Sequence, residues 1–546
     1  MILVFLIFIA TNCSGSFKNS IKEKGPIIDA IKLEDLDKLT KALEDDKDNG
    51  IEDEREHEAN PLEIAVLKGN VEIVKALLKA GVKVDKSMVE GRTALFIACH
   101  ENSVEIVLEL IYQGADINKE AKGVTPLLVA CYQGHIKVVE ELIRYGADLD
   151  KKDQNGGATA LHTACNRGDV KIAKALIDGG ASLNISNIEG ETPLFIASTI
   201  SNLEIVRKLI KKEANLNIYE KQGLSPLAIA CSNNCKSVVK ELIKAGADLD
   251  MNGKIPPLVA ASMARNLEIV KLLISEGADV DAVTNNGMTA LYLAAKMNNV
   301  SVARELIEAD ADVNKATNDG DTPLCIACNE NNVDIVEELI EARADLNKTM
   351  EGVGGPLGIA CELNHIKIVK MLIDHGANIN ETSDITDTPI LKAAFNGNSE
   401  IIEELINLGA NVDMLNEGVS PLLLVSHRGH LQALKILIKN KADLNKSTIS
   451  KETPLFLAVK ENHIEIVKEL IKAGANLNDS TKDGETPLYR ACNNCSLEIV
   501  KELVEAGANV SIKTNIEKSP MDISMEKEQH EIVLLLKKAS INNNIK

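Results

Sequence analysis

Tryptophan is absent from the 546 residues, and aromatics amount to only 2%. A core without large rings has to be filled by Leu, Ile, Val, Ala and Cys. That suits small, closely packed helices better than a sheet sandwich with aromatic layers. Positive charge is also short: 60 Lys and Arg stand against 81 Asp and Glu, a formal net charge of −21. Such a field repels phosphate backbones and anionic lipid heads, so nucleic acid is not an expected partner. No apolar run reaches the roughly 20 residues that span a bilayer as a helix. P-loop, G-x-S-x-G, H-E-x-x-H and kinase signatures are missing too. No catalytic residues, cofactor or small-molecule substrate are therefore expected.

Proline is sparse, but thirteen of its fourteen residues share one register. The pattern Thr-Pro-Leu-x-x-Ala, or a close variant, begins at Asn60, Thr93, Thr125, Thr159, Thr192, Ser225, Pro256, Thr289, Thr322, Gly355, Thr388, Ser420, Thr453, Thr486 and Ser519, at intervals of 31 to 34 residues. A degenerate earlier copy sits at Gly25-Pro26-Ile27 with Ala30. Each copy reads alike. Thr or Ser caps a helix and Pro follows at the first helical position, where a missing N–H costs nothing. A short apolar helix leads to a turn residue, mostly Asn or Gly, such as Gly69, Asn102 or Asn462. A second helix carries Ile-Val-x-x-Leu-Ile at helical spacing, as in Ile466-Val467 with Leu470-Ile471. Gly usually ends it, for example Gly81, Gly246 or Gly507. Four copies carry Glu213, Asp310, Arg343 or Lys441 at that end instead, where either strain or a different, softer end is expected.

Thr-Pro-Leu-x-x-Ala, then Ile-Val-x-x-Leu-Ile, then Gly-Ala-Asp/Asn-x-Asn at a period near 33 resembles the ankyrin repeat over roughly residues 25–540. The resemblance implies an all-α solenoid of about sixteen helix-turn-helix units with protruding hairpin-like turns. It implies one extended, monomeric molecule that binds another protein. The family's usual His after Thr-Pro-Leu occurs once, as His162; Phe96, Leu128, Phe195, Tyr292, Leu423, Phe456 and Tyr489 fill that slot elsewhere. Bracing of the turns by that His is therefore in doubt.

The expected organisation is an apolar leader (1–20), a degenerate capping repeat with an acidic loop (21–59), fourteen repeats (60–518), and a C-terminal capping repeat with tail (519–546). Met1 to Ala10 resembles the apolar region of a secretory signal peptide, although no Lys or Arg precedes it. Two readings of compartment follow. Removal of residues 1–16 would place the chain in the secretory pathway, and membrane association is expected only through this leader. Family analogy and the cysteine pattern favour the cytoplasm. Nine N-x-S/T sequons, among them Asn184, Asn347, Asn445, Asn478 and Asn509, would be crowded by sugars in a glycosylating compartment.

Seven of the eleven cysteines (Cys99, Cys131, Cys165, Cys231, Cys328, Cys361 and Cys492) occupy one position after the first-helix Ala, where other copies put Ser198, Ser262, Ala295, Ala394 or Ser426. The position wants a small side chain, and these read as buried hydrophobes. Cys325/Cys328, Cys492/Cys495 and His427-x-x-His430 lack further ligands at useful spacing, so no metal is expected.

By the resemblance, a partner would meet the residue before each Thr-Pro and the two residues after the small slot. These are apolar in the middle of the chain: Leu224, Ile255 and Met288 on the turns, with Ile200, Met263, Met297, Leu363 and Phe395 on the helix ends. The expectation is a hydrophobic groove rimmed by His100, Tyr132, Arg167, His427, Arg428 and Lys460, and used by a scaffold or adaptor. A secreted effector is the alternative, and a regulatory subunit of an enzyme comes last.

Overall fold

A computed structural model describes residues 25–45, 60–87, 91–250, 254–348, 354–380 and 388–543. The leader and most of the acidic loop lie outside them. Within the described residues 32 helices form sixteen pairs, and two isolated bridges are the nearest approach to strand. The molecule is an all-α helix-turn-helix solenoid. Contacts divide it into two units, Met1–Asn285 and Asn286–Lys546. Each holds eight pairs.

The local reasons are the expected ones. In Pro454–Lys460 the Thr453 hydroxyl accepts the Phe456 N–H at 3.2 Å, and Pro454 opens the helix. The same cap recurs at Thr93, Thr192, Ser225, Thr322 and Thr486. The degenerate first copy is real: Pro26–Leu33 and Leu36–Asp45 form a pair. Each second helix buries one stripe, such as Ile466, Val467 and Leu470. The small slot is fully enclosed, and its seven cysteines are free buried thiols. Desolvation pushes the thiols of Cys99, Cys131, Cys165, Cys231, Cys328 and Cys361 far above their ordinary range, and that of Cys492 up to about 11. They are packing groups, not nucleophiles.

The four unusual helix ends keep the geometry that Gly supplies elsewhere. Glu213, Asp310, Arg343 and Lys441 have φ of 62°, 61°, 62° and 64°, each in the left-handed region. A Cβ there costs roughly 1–2 kcal/mol, yet the register of the stack holds it. The turn between paired helices is also left-handed at Ser201, Arg265 and Cys495, where neither Asn nor Gly signals it.

Two polar ladders stitch neighbouring repeats together. After most second helices, an Asp or Asn accepts a backbone N–H two residues on, and that later residue accepts one from the next repeat. In unit 2 the Asn347 N–H donates to Asp345 Oδ1 at 2.9 Å and Asn378 N–H to Asn347 Oδ1 at 2.8 Å. The series continues through Asn380, Asn411, Asp413, Asp443, Asn445, Asn476 and Asn478 to Asn509. Unit 1 carries the same series, as in Asp148 N–H to Asn118 Oδ1 at 2.8 Å.

The second ladder runs from the caps of several second helices to the end of the preceding repeat's first helix. His135 Nε2–H donates to His100 O at 2.9 Å, Asn202 Nδ2–H to Gly168 O at 3.2 Å, Asn398 to Cys361 O at 2.8 Å and His463 to His427 O at 3.0 Å. These carbonyls are the ones a helix C-terminus leaves without partners. The first-helix ends are pinned as a result.

Candidate functional site

The turns between helix pairs project as short fingers. Ala121 with Val124 and Asn416 with Val419 close two-residue hairpins. Adjacent fingers are tied tip to tip by backbone bonds: Ile188 N–H to Gly156 O and Lys221 N–H to Glu189 O, both 2.9 Å, in unit 1. In unit 2, Asn318 N–H reaches Asn286 O and Lys482 N–H reaches Ser450 O, both at 3.0 Å. The fingers and the pinned first-helix ends supply the candidate residues.

In unit 1, Ile200 caps Pro193–Thr199 and is 39% exposed, while Met263 ends Pro257–Met263 and is 46% exposed. Leu224 and Ile255 are half-buried in their fingers. The Glu220 carboxylate accepts the Leu224 N–H at 3.1 Å, and the Ile255 N–H donates to Gly223 O at 3.2 Å. In unit 2, Leu363 caps Pro356–Glu362 and Phe395 lies in Pro389–Asn396, each 44% exposed. Met288 and Met297 are half-buried. The exposed apolar surface therefore comes chiefly from first-helix ends, and the finger residues contribute their edges.

The expected polar rim is largely engaged with itself. His100 Nδ1 lies 2.8 Å from Glu101, His427 Nε2 3.5 Å from Glu461 and Lys460 Nζ 2.9 Å from Glu452. The Arg167 guanidinium sits 5.9 Å from the Tyr132 ring centre. Arg428 differs: it stacks on Phe395 with its guanidinium carbon 3.7 Å from the ring centre. Nothing in the sequence pattern announced that contact, because two residues in neighbouring repeats make it.

The slot where the family carries His is braced in several ways. At His162, Nδ1 accepts the Thr159 N–H at 3.2 Å and Nε2 donates to Glu191 O at 3.1 Å. In unit 2 the Tyr292 hydroxyl reaches Asp321 at 2.8 Å instead. Elsewhere an aromatic or aliphatic side chain fills the space, as Phe456 does.

Other exposed apolar residues escaped the sequence reading: Tyr112 and Tyr145 at second-helix ends, Ile188, Ile449 and Ile516 on fingers, and Leu534 and Ile541 in the last helix. No group of three His, Cys, Asp or Glu side chains able to hold a metal occurs among the described residues, and no described helix is long and apolar enough to cross a membrane.

A family model described as ankyrin repeats (3 copies) matches residues 27–121, 114–187, 180–253, 258–350, 311–383, 352–416, 390–481 and 455–546. No curated protein matches the chain.

Proposed function

The chain belongs to the ankyrin-repeat family, and on that footing we propose that it is a protein-binding scaffold, not a catalyst. The candidate partner-binding residues on the first-helix ends and fingers are Ile200, Leu224, Ile255 and Met263 in unit 1 and, taken separately, Met288, Met297, Leu363 and Phe395 in unit 2. The supporting observation is that Ile200, Met263, Leu363 and Phe395 stay 39–46% exposed on helix ends otherwise packed and hydrogen-bonded. Each is already more than half covered, so covering the rest contributes about 0.6–1.4 kcal/mol apiece, and a rigid platform loses little entropy on binding. No metal, cofactor or nucleic acid enters this reading.

Affinity capture from a lysate tests it. Two variants serve, Ile200→Glu with Met263→Glu in unit 1, and Leu363→Glu with Phe395→Glu in unit 2, each shown by circular dichroism to keep its helix content. The expected result is a protein retained by the wild type and lost, by about 100-fold or more in affinity, from at least one variant. Retention of the same proteins by both variants would move the binding surface elsewhere.

A second reading, a scaffold delivered outside its cell, rests on the apolar residues Met1 to Ala10. The N-terminal sequence of the mature chain separates the two.

A further inference from the structure

We propose that Arg428, stacked on Phe395, is a receptor for a carboxylate carried next to an apolar side chain, so that the segment docking on unit 2 is an acidic-apolar peptide. This rests on the scaffold reading and names the partner chemistry at one part of its surface.

In a chain with 21 more acidic than basic residues, a cation should find an internal carboxylate. Three of the other cations on the first helices of unit 2 do. Lys392 pairs with Glu362 at 2.8 Å, Lys460 with Glu452 at 2.9 Å, and Arg490 with Glu485. Arg428 is exposed, and no carboxylate among the described residues lies within 4.0 Å of it. What holds it is the Phe395 face at 3.7 Å.

Stacking fixes the guanidinium plane while leaving its in-plane N–H donors free. That pre-organised fork matches the two oxygens of a carboxylate. Its platform is itself pinned: His430 Nε2–H donates to Phe395 O at 3.1 Å, and Asn396 Nδ2–H to Glu362 O at 3.0 Å. Arg428 also ends the helix Pro421–Arg428, where the helix dipole favours a cation without neutralising it.

The neighbourhood supplies the apolar half. Leu363, on the adjoining repeat, is 44% exposed. Of the nearby acidic groups, Glu362 is paired with Lys392 and so opposes an incoming single negative charge weakly. A doubly charged phosphate would meet the net field of −21 at twice the cost.

Selection of phage-displayed random peptides on the immobilised full chain tests the inference, followed by fluorescence anisotropy with the synthesised winners. The expected enrichment is Asp or Glu beside Leu, Ile or Phe. Arg428→Gln should weaken those peptides about tenfold or more, and Arg428→Lys less, because it keeps the charge and loses the fork. Replacing the peptide's Glu by Gln should cost the wild type a similar factor and the Arg428→Gln variant almost nothing. Both substitutions lie on an exposed side chain, so melting curves should not move. Failure to enrich acidic residues, or an equal Glu-to-Gln penalty on wild type and Arg428→Gln, overturns the inference. Peptides that ignore Arg428 but are lost on Ile200→Glu with Met263→Glu would remove it and leave the scaffold reading standing.

Discussion

Acidification from pH 6.5 towards 4 should remove about 3 kcal/mol of stability from unit 1, and a His162→Phe variant should lose most of that dependence. Burial is the leading cause: desolvation pushes the His162 pKa from 6.5 down to about 4, and the bond to Glu191 O only partly offsets it. The neutral ring is the form the site is built for. Nδ1 must stay unprotonated to accept the Thr159 N–H, while Nε2 keeps its proton for Glu191 O. Between pH 6.5 and 4 the unfolded chain binds the proton and the folded chain does not. Stability is therefore fully present above 6.5 and is lost as pH falls through that window. Phe is a suitable replacement because Phe96, Phe195 and Phe456 occupy the same slot in other repeats. The variant starts less stable, having lost the hydrogen bonds of His162 with the Thr159 N–H, the Thr159 hydroxyl and Glu191 O, but its urea midpoint should vary far less with pH. Parallel pH curves for the two proteins would mean that other groups govern acid stability.

Phe456→Ala is expected to be the more damaging single change, at about 3–5 kcal/mol. The ring is 1% exposed and is the largest fully buried side chain among the described residues. It also carries the Arg490 guanidinium 5.5 Å from its centre, and Arg490 in turn holds Glu485. The cavity would open between repeats whose stability depends on their immediate neighbours. Urea unfolding followed by circular dichroism should show an early transition from the C-terminal repeats of unit 2, with unit 1 unfolding as before. Phe456→Leu should cost less than about 1.5 kcal/mol, since Leu128 and Leu423 fill that slot elsewhere. An Ala variant that unfolds with the wild type would show that the slot collapses without loss.

Most of the fold was legible because it is written sixteen times. Thr caps, first-turn prolines and the small slot recur at one spacing, so even weak signals such as Gly25-Pro26 identify a helix pair. The register also exposed Glu213, Asp310, Arg343 and Lys441 as left-handed ends, since only that geometry keeps the next repeat in place. The turns at Ser201, Arg265 and Cys495 could have been found the same way, although their residue types argue against it. The inter-repeat ladders were harder to read. Asn-x-Asn looks like local turn chemistry, and nothing local shows that Asn347 accepts an N–H from Asn378.

The candidate surface was legible only in part, for a related reason. Exposure of a finger residue depends on the finger beside it. Leu224 and Ile255 are half-buried, Leu224 bonded within its own finger to Glu220 and Ile255 across to Gly223 of the preceding finger. Ile200, Met263, Leu363 and Phe395 lie at first-helix ends, whose direction the helical period fixes, and those four are exposed, while Met297 at another such end is half-buried. The Arg428–Phe395 stack depends on side-chain geometry across repeats, which spacing alone does not encode.

Amide hydrogen exchange of the full chain, with and without the protein it captures, tests the central claim most directly. Binding to the proposed surface predicts slowed exchange in the first-helix ends and fingers around 197–202, 222–226 and 260–264 of unit 1, or 294–298, 360–364 and 393–397 of unit 2, with the outward second helices unchanged. Protection confined to the second helices would contradict it.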